Sequence, residues 1–160
     1  MRPQELSADG LAVRRQVLGD AYVDGATGPD DLISTGFQPL VTNYCWDEIW
    51  TDETLSLRER SIIVLAITGA LGRMEEFRIH TQGAINNGLD EAELLALVKQ
   101  IAVYAGIPAG VSGHKVMREV VAQHRERTAA DASDTDTVAA GPAVADAVSA
   151  EAVRESANAR

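Results

Sequence analysis

The feature that most constrains this chain is a helical period punctuated by two capping boxes. Ser56 with Glu59, and Asp90 with Glu93, each stand just before an apolar run. In such a box the first side chain accepts from the third amide of the helix, and the acid reaches back to the cap's own amide. The first box opens onto Ile62, Ile63, Leu65, Ala66, Ile67 and Leu71, with Gly72 as a stop. That run is apolar nearly all round, which predicts a central helix. The second opens onto Leu94, Leu97, Val98, Ile101, Ala102 and Tyr104, ended by Gly106-Ile107-Pro108. Between them GRMEEFRIHTQGAINNG, Gly72 to Gly88, forms a further candidate helix closed by Asn86-Asn87-Gly88.

The remaining segments keep the same period. Leu11, Val17, Leu18, Ala21 and Tyr22 predict a first helix ending near Gly25 and Gly28. Ile33, Phe37, Leu40, Val41 and Tyr44 predict a second, kinked or broken at Pro39. WDEIWTDET, Trp46 to Thr54, reads as a connection, and a last helix is expected over about Ala109–Arg127. Val116, Met117, Val120 and Val121 should face inward on it. No strand pattern intervenes, so the expected class is all-α, a compact bundle of about six helices. From Thr128 onward the chain has no aromatic residue and no Leu, Ile or Phe. Such a composition does not offset its ordering entropy. The expectation is a helical domain over residues 1–127 and a disordered acidic tail over 128–160, with a weak helix over Ala143–Ala152.

Charge narrows the partners. The 160 residues carry a net charge of −10, which argues against nucleic acid and anionic membranes. The run Ile62–Gly72 is too short to span a bilayer. MRPQELSADG at the start lacks the apolar segment of a signal peptide, so the expected location is the cytoplasm. Cys45 is the sole cysteine, which leaves no intrachain disulfide, no CxxC pair and no cysteine-based zinc site. A lone cysteine of this kind reads as a small buried hydrophobe rather than a nucleophile.

Arg73, Glu76, His80, Ala84 and Asn87 follow one another at spacings of three and four, which predicts a single stripe on a helix. Met74, Phe77, Thr81 and Ile85 share or flank it, so the stripe should face protein, with Glu75, Arg78 and Gln82 off it. One reading is an interior salt bridge between Arg73 and Glu76, with His80 hydrogen-bonded beside it. The other is a polar pocket, because Glu and His four residues apart can share or orient a proton. A metal is not expected, since Glu76 and His80 lack further ligands nearby. His114 and His124 read as surface or helix-end residues.

The pattern RSxxxLAxxxALGRxEEFxxHxxxAxNNGxxxxE, Arg60 to Glu93, resembles the γ-carboxymuconolactone decarboxylase family. FQPLVTNYCWDEIW, IAVYAGIPAG and VRRQVLGDAYVD extend the likeness over most of the folded domain. The wider superfamily includes alkylhydroperoxide reductases with CxxCxxxHxxxAxxxG. Aligned on His80, Ala84 and Gly88, this chain has Arg73 and Glu76 in place of the two cysteines, so it resembles the thiol-free branch. The resemblance implies an alkylhydroperoxidase-like helical fold in ring-forming homo-trimers or homo-hexamers. It also implies a carboxy-lyase of aromatic catabolism that takes γ-carboxymuconolactone to β-ketoadipate enol-lactone without a cofactor, its partner being a small carboxylate or lactone.

On that reading His80 donates a proton or stabilises an oxyanion. Glu76 orients His80 and sets its charge, and Arg73 holds a carboxylate or tunes Glu76. Arg60, Trp46, Trp50, Asn87 and Tyr104 are candidates for the substrate-binding wall. Each has a plainer explanation: packing for Trp46 and Trp50, an acidic neighbour for Arg60, a helix end for Asn87. Family decarboxylases commonly read WGxxWxRPGL where this chain reads WDEIWTDETL, with Asp52 in place of the arginine. Two alternatives therefore stay open: a lyase or isomerase acting on another small or aromatic substrate, and a non-catalytic oligomeric helical protein.

Overall fold

A computed structural model describes residues 5–139, with side chains through Ala132. The chain divides into two units, Met1–Glu126 and Arg127–Arg160, and the site lies in the first. Among the described residues every regular element is helical: α1 (Ala8–Leu18), α2 (Asp20–Thr27), α3 (Leu32–Pro39), a π-helix (Leu40–Ile49), α4 (Leu57–Ala70), α5 (Met74–Asn86), α6 (Glu91–Ala105) and α7 (Ile107–Ala139).

Both capping boxes form as the sequence predicts. Ser56 accepts from the Glu59 amide and Asp90 from the Glu93 amide, and each glutamate returns a bond to its cap. Gly72 and Gly106 close α4 and α6 with φ of 70° and 96°, left-handed geometry that a side chain disfavours.

The all-helical class holds, with eight helical elements among the described residues, and some boundaries differ from expectation. The expected first helix breaks at Gly19, whose φ of 84° turns the chain between α1 and α2. Tyr22 and Ala21 consequently fall on an exposed face of α2. The second helix changes type just after Pro39. Trp46 is not in a connection: it lies inside the π-helix, and Trp50 caps it, donating its amide to the Cys45 carbonyl at 3.1 Å. The last helix continues to Ala139 instead of ending at Arg127. Residues 140–160, including the expected weak helix over Ala143–Ala152, lie outside the described residues.

Two apolar clusters hold the first unit together. Leu65, Phe77, Ala84, Leu94, Val98 and Ile101 join Val116 and Met117 of α7 in one. Val17, Leu18, Val23, Trp46 and Trp50 form the other. α1 lies against both the π-helix and α5. Gly10 permits the first contact, since a Cβ there would stand 2.5 Å from the Thr42 carbonyl oxygen. α4 is not enclosed as its composition predicts. Leu65, Thr68 and Gly69 face the core, but Ile62, Ile63, Ile67 and Leu71 are exposed in the single chain. Burying both sides of an all-apolar helix takes neighbours on both sides, and the described residues supply them on one.

Candidate functional site

His80 enters the bundle from the middle of α5, between Ile79 and the fully buried Thr81. The π-helix approaches from across the fold and lays both indoles on it. The Trp46 and Trp50 ring centroids lie 6.2 and 5.9 Å from the imidazole, inclined by 17° and 16°. The indoles themselves are 4.7 Å apart. They are 3% and 7% exposed, so they are at once core residues and one wall of the site.

This setting dictates the imidazole's charge. Burial favours the neutral form and pushes His80 down from 6.5 to about 4, and the negative charge of Glu76 partly opposes it. Nδ1 is buried without a hydrogen-bond partner. A polar atom left so costs about 1–3 kcal/mol. A neutral imidazole carries one donor and one acceptor, so His80 keeps one polar atom unused inside the fold.

The other expected residues sort differently. Arg73 and Glu76 are exposed rather than turned inward, and no ion pair joins them among the described residues. The reason is where the helix begins. Arg73 is the N-cap of α5, with φ −82° and ψ 71°, so it does not share the helical stripe. Glu76 lies in the first turn, before the helix is covered. It acts on His80 through its charge. Arg78, expected in solvent, is half-buried and pairs with Glu119 of α7 at 2.5 Å.

Arg60 donates to the backbone oxygens of Asp52 and Leu55 and to the Asp52 carboxylate, tying down the turn before α4. Asn87 donates to the Ser61 hydroxyl at 2.9 Å and to the Leu57 carbonyl, and so joins the end of α5 to α4. Tyr104 is exposed and lines an apolar groove of about 250 Å³ with Ala66, Ala70, Leu97 and Ile101, a set that includes neither His80 nor a tryptophan. Of the eight candidates, the structure brings together His80, Trp46 and Trp50, with Glu76 near enough to be felt.

Sequence reasoning passed over Arg14. It shares the inward spacing of Leu11, Val17 and Leu18 on α1, which was the available signal. Its Nη1 donates to Gln38 Oε1 at 2.8 Å and to Thr42 Oγ1 at 3.2 Å. Cys45 stands between the two groups. Burial pushes its thiol up, while the Arg14 charge and a hydrogen bond from Trp50 pull the other way. The balance keeps it a thiol, in keeping with a small buried hydrophobe. Among the described residues no three His, Cys, Asp or Glu side chains converge as a ligand set. No described helix is long and apolar enough to cross a membrane.

Comparison with known proteins identifies the family. Residues 35–119 match the model of the carboxymuconolactone decarboxylase family. A 4-carboxymuconolactone decarboxylase from Acinetobacter baylyi is 32% identical over 120 residues, covering 75% of this chain and 90% of that protein. The nitrosuccinic acid decarboxylase npaB from Metarhizium robertsii is 31% identical over 118 residues, covering 74% and 82%. The matched span holds the π-helix, α4, α5, α6 and the indole–imidazole stack. The chain belongs to the carboxymuconolactone decarboxylase family.

Proposed function

We propose that this protein decarboxylates a small dicarboxylate whose own electron-withdrawing group receives the electrons, with γ-carboxymuconolactone as the first substrate to test. The observation that carries the reading is the neutral, partner-less Nδ1 of His80 held against two indoles. When a carboxylated unsaturated lactone loses CO₂, the electron pair passes through the ring double bond to the lactone carbonyl. The chemistry needs no cofactor, because the substrate is its own sink. The protein must stabilise the oxyanion and return a proton to ring carbon. A preorganised donor aimed at such an oxyanion is worth about 3–4 kcal/mol of barrier in a site that excludes water. His80 fills that role as a neutral donor, and Glu76 tunes its proton affinity through space.

Nitrosuccinic acid, named for the second relative, satisfies the same condition, since a nitro group also accepts the electron pair. Nitrosuccinate is therefore the next substrate to test, and Asp52, paired with Arg60 where family decarboxylases commonly carry an arginine, leaves the choice between the two to experiment. Loss of the lactone is followed in the ultraviolet with the wild type, His80→Gln and Glu76→Gln. His80→Gln should lower kcat by about 10²–10³. Full turnover by both variants would remove His80 and Glu76 from the mechanism. No turnover by the wild type would reject the lactone and pass the question to nitrosuccinate.

The protein is further proposed to work as a homo-trimer or homo-hexamer. The exposed Ile62, Ile63, Ile67 and Leu71 of α4, with Val103 and Tyr104 of α6, form an apolar surface that a second copy would cover. Light scattering coupled to size exclusion gives the mass, and a monomer at micromolar concentration overturns this.

A further inference from the structure

Arg14 is 4% exposed, its Nε has no hydrogen-bond partner, and no described carboxylate pairs with it. Its polar neighbours are the Gln38 amide, the Thr42 hydroxyl, the Tyr22 phenol and the Cys45 thiol. In a chain with 24 acidic residues this is a conspicuous omission. Arg15, Arg58, Arg78 and Arg125, all more exposed than Arg14, have acidic partners. A guanidinium stays charged at any working pH, and a buried charge without a counter-charge is strongly unfavourable. The neutral groups around Arg14 hold its geometry and leave its charge uncompensated.

The π-helix and its cap link the cation to the imidazole. Thr42, Cys45, Trp46 and Trp50 follow one another on the π-helix and its cap. Cys45 feels the Arg14 charge and accepts from Trp50, which stacks on His80. Tyr22, 41% exposed, is the polar neighbour of Arg14 that reaches the surface.

We propose that Arg14, oriented by Gln38 and Thr42, is a carboxylate-binding subsite, and that it holds the carboxylate the substrate keeps rather than the one it loses. The choice follows from what changes in the reaction. The departing carboxylate gives up its charge on the way to CO₂, so a strong ion pair to it would stabilise the ground state and slow the step. The retained carboxylate is equally charged throughout, and an ion pair to it lowers KM and positions the lactone without opposing bond breakage. The inference rests on the decarboxylase reading above for which carboxylate is held, but its test does not depend on turnover.

The decisive variant is Gln38→Glu. It places a carboxylate where the amide oxygen already accepts from Nη1 at 2.8 Å, giving Arg14 an internal counter-ion that competes with the ligand. The probe is succinate, with the neutral succinamide as control, measured by calorimetry and thermal shift on the full chain. Succinate should bind the wild type and raise its Tm, and succinamide should not. Gln38→Glu should melt higher than the wild type without ligand and bind succinate at least tenfold more weakly. Arg14→Lys keeps the charge but loses the planar fork, and should also weaken succinate. On a turned-over substrate, Gln38→Glu should raise KM at least tenfold while kcat moves less than threefold. Equal succinate affinity in wild type and Gln38→Glu, or no succinate binding to the wild type, overturns the subsite. Succinate binding that follows this pattern in a protein inactive on the lactone leaves the subsite standing and rejects the lactone.

Discussion

Protonation of His80 should destabilise this protein from within, and the effect can be isolated. In the folded chain burial holds the imidazole at about 4, against 6.5 for a free one. Above pH 6.5 the side chain is neutral in both states and contributes no pH dependence. As pH falls below 6.5 the unfolded chain takes up a proton that the folded chain refuses until about pH 4. Between those limits the unfolded state binds more protons, so stability falls as pH falls. At about 1.4 kcal/mol per unit, the loss amounts to roughly 3 kcal/mol by about pH 4. Carboxylates titrate in the same range, so the quantity to measure is a difference. Denaturant unfolding of wild type and His80→Gln is compared at pH 7 and near pH 4. The wild type should lose roughly 3 kcal/mol more than the variant across that interval. Glu76→Gln removes the charge that opposes the shift, so the imidazole should titrate lower still. An imidazole resonance titrating near its free value, or equal acid sensitivity in wild type and His80→Gln, would refute the argument.

Two further substitutions test the frame that carries the site. Gly10→Ala sets a Cβ against the Thr42 carbonyl at 2.5 Å, so α1 must move from the π-helix. The expected loss is about 1–3 kcal/mol in denaturant melts, and an unchanged midpoint would show that the two helices have slack. Ser56→Ala removes the side chain that accepts from the Glu59 amide, and should cost about 1 kcal/mol of stability without altering any residue near His80.

What the sequence disclosed was what local chemistry decides. The capping boxes at Ser56 and Asp90 were legible because every group that makes them lies within four residues. The inward set Val116, Met117 and Val120 was legible because the helical period is itself a geometric rule. The inward position of His80 was legible because its stripe continues into the buried Ala84. The misreadings share one origin, the assumption that an uninterrupted period runs from cap to cap. Gly19 ends α1 through a positive φ inside an apparently continuous pattern. The spacing puts Arg73 and Glu76 on the inward stripe, yet one is a cap and the other sits in an uncovered first turn. The exposed isoleucines of α4 reflect a different limit: apolar periodicity reports that a face will be covered, and does not say by which chain. Arg14 went unnoticed because a single arginine in an amphipathic helix ordinarily reads as surface, and its burial depends on Thr42 and Gln38 from elements far along the chain.

Leu40–Ile49 winds with hydrogen bonds five residues back instead of four, a rare geometry at this length. The looser winding makes the number of residues between Pro39 and Trp50 a dimension of the molecule, as much as a bond length is. Remove one and the segment can tighten into an ordinary α-helix, which turns every later side chain about the axis and carries Trp50 off the imidazole. Substitution alone would not do this. Length variation in this ten-residue stretch is therefore a route by which relatives could re-aim the wall over the same histidine. Chain length, read as spacing between the proline and the second tryptophan, becomes a quantity to compare when substrates differ.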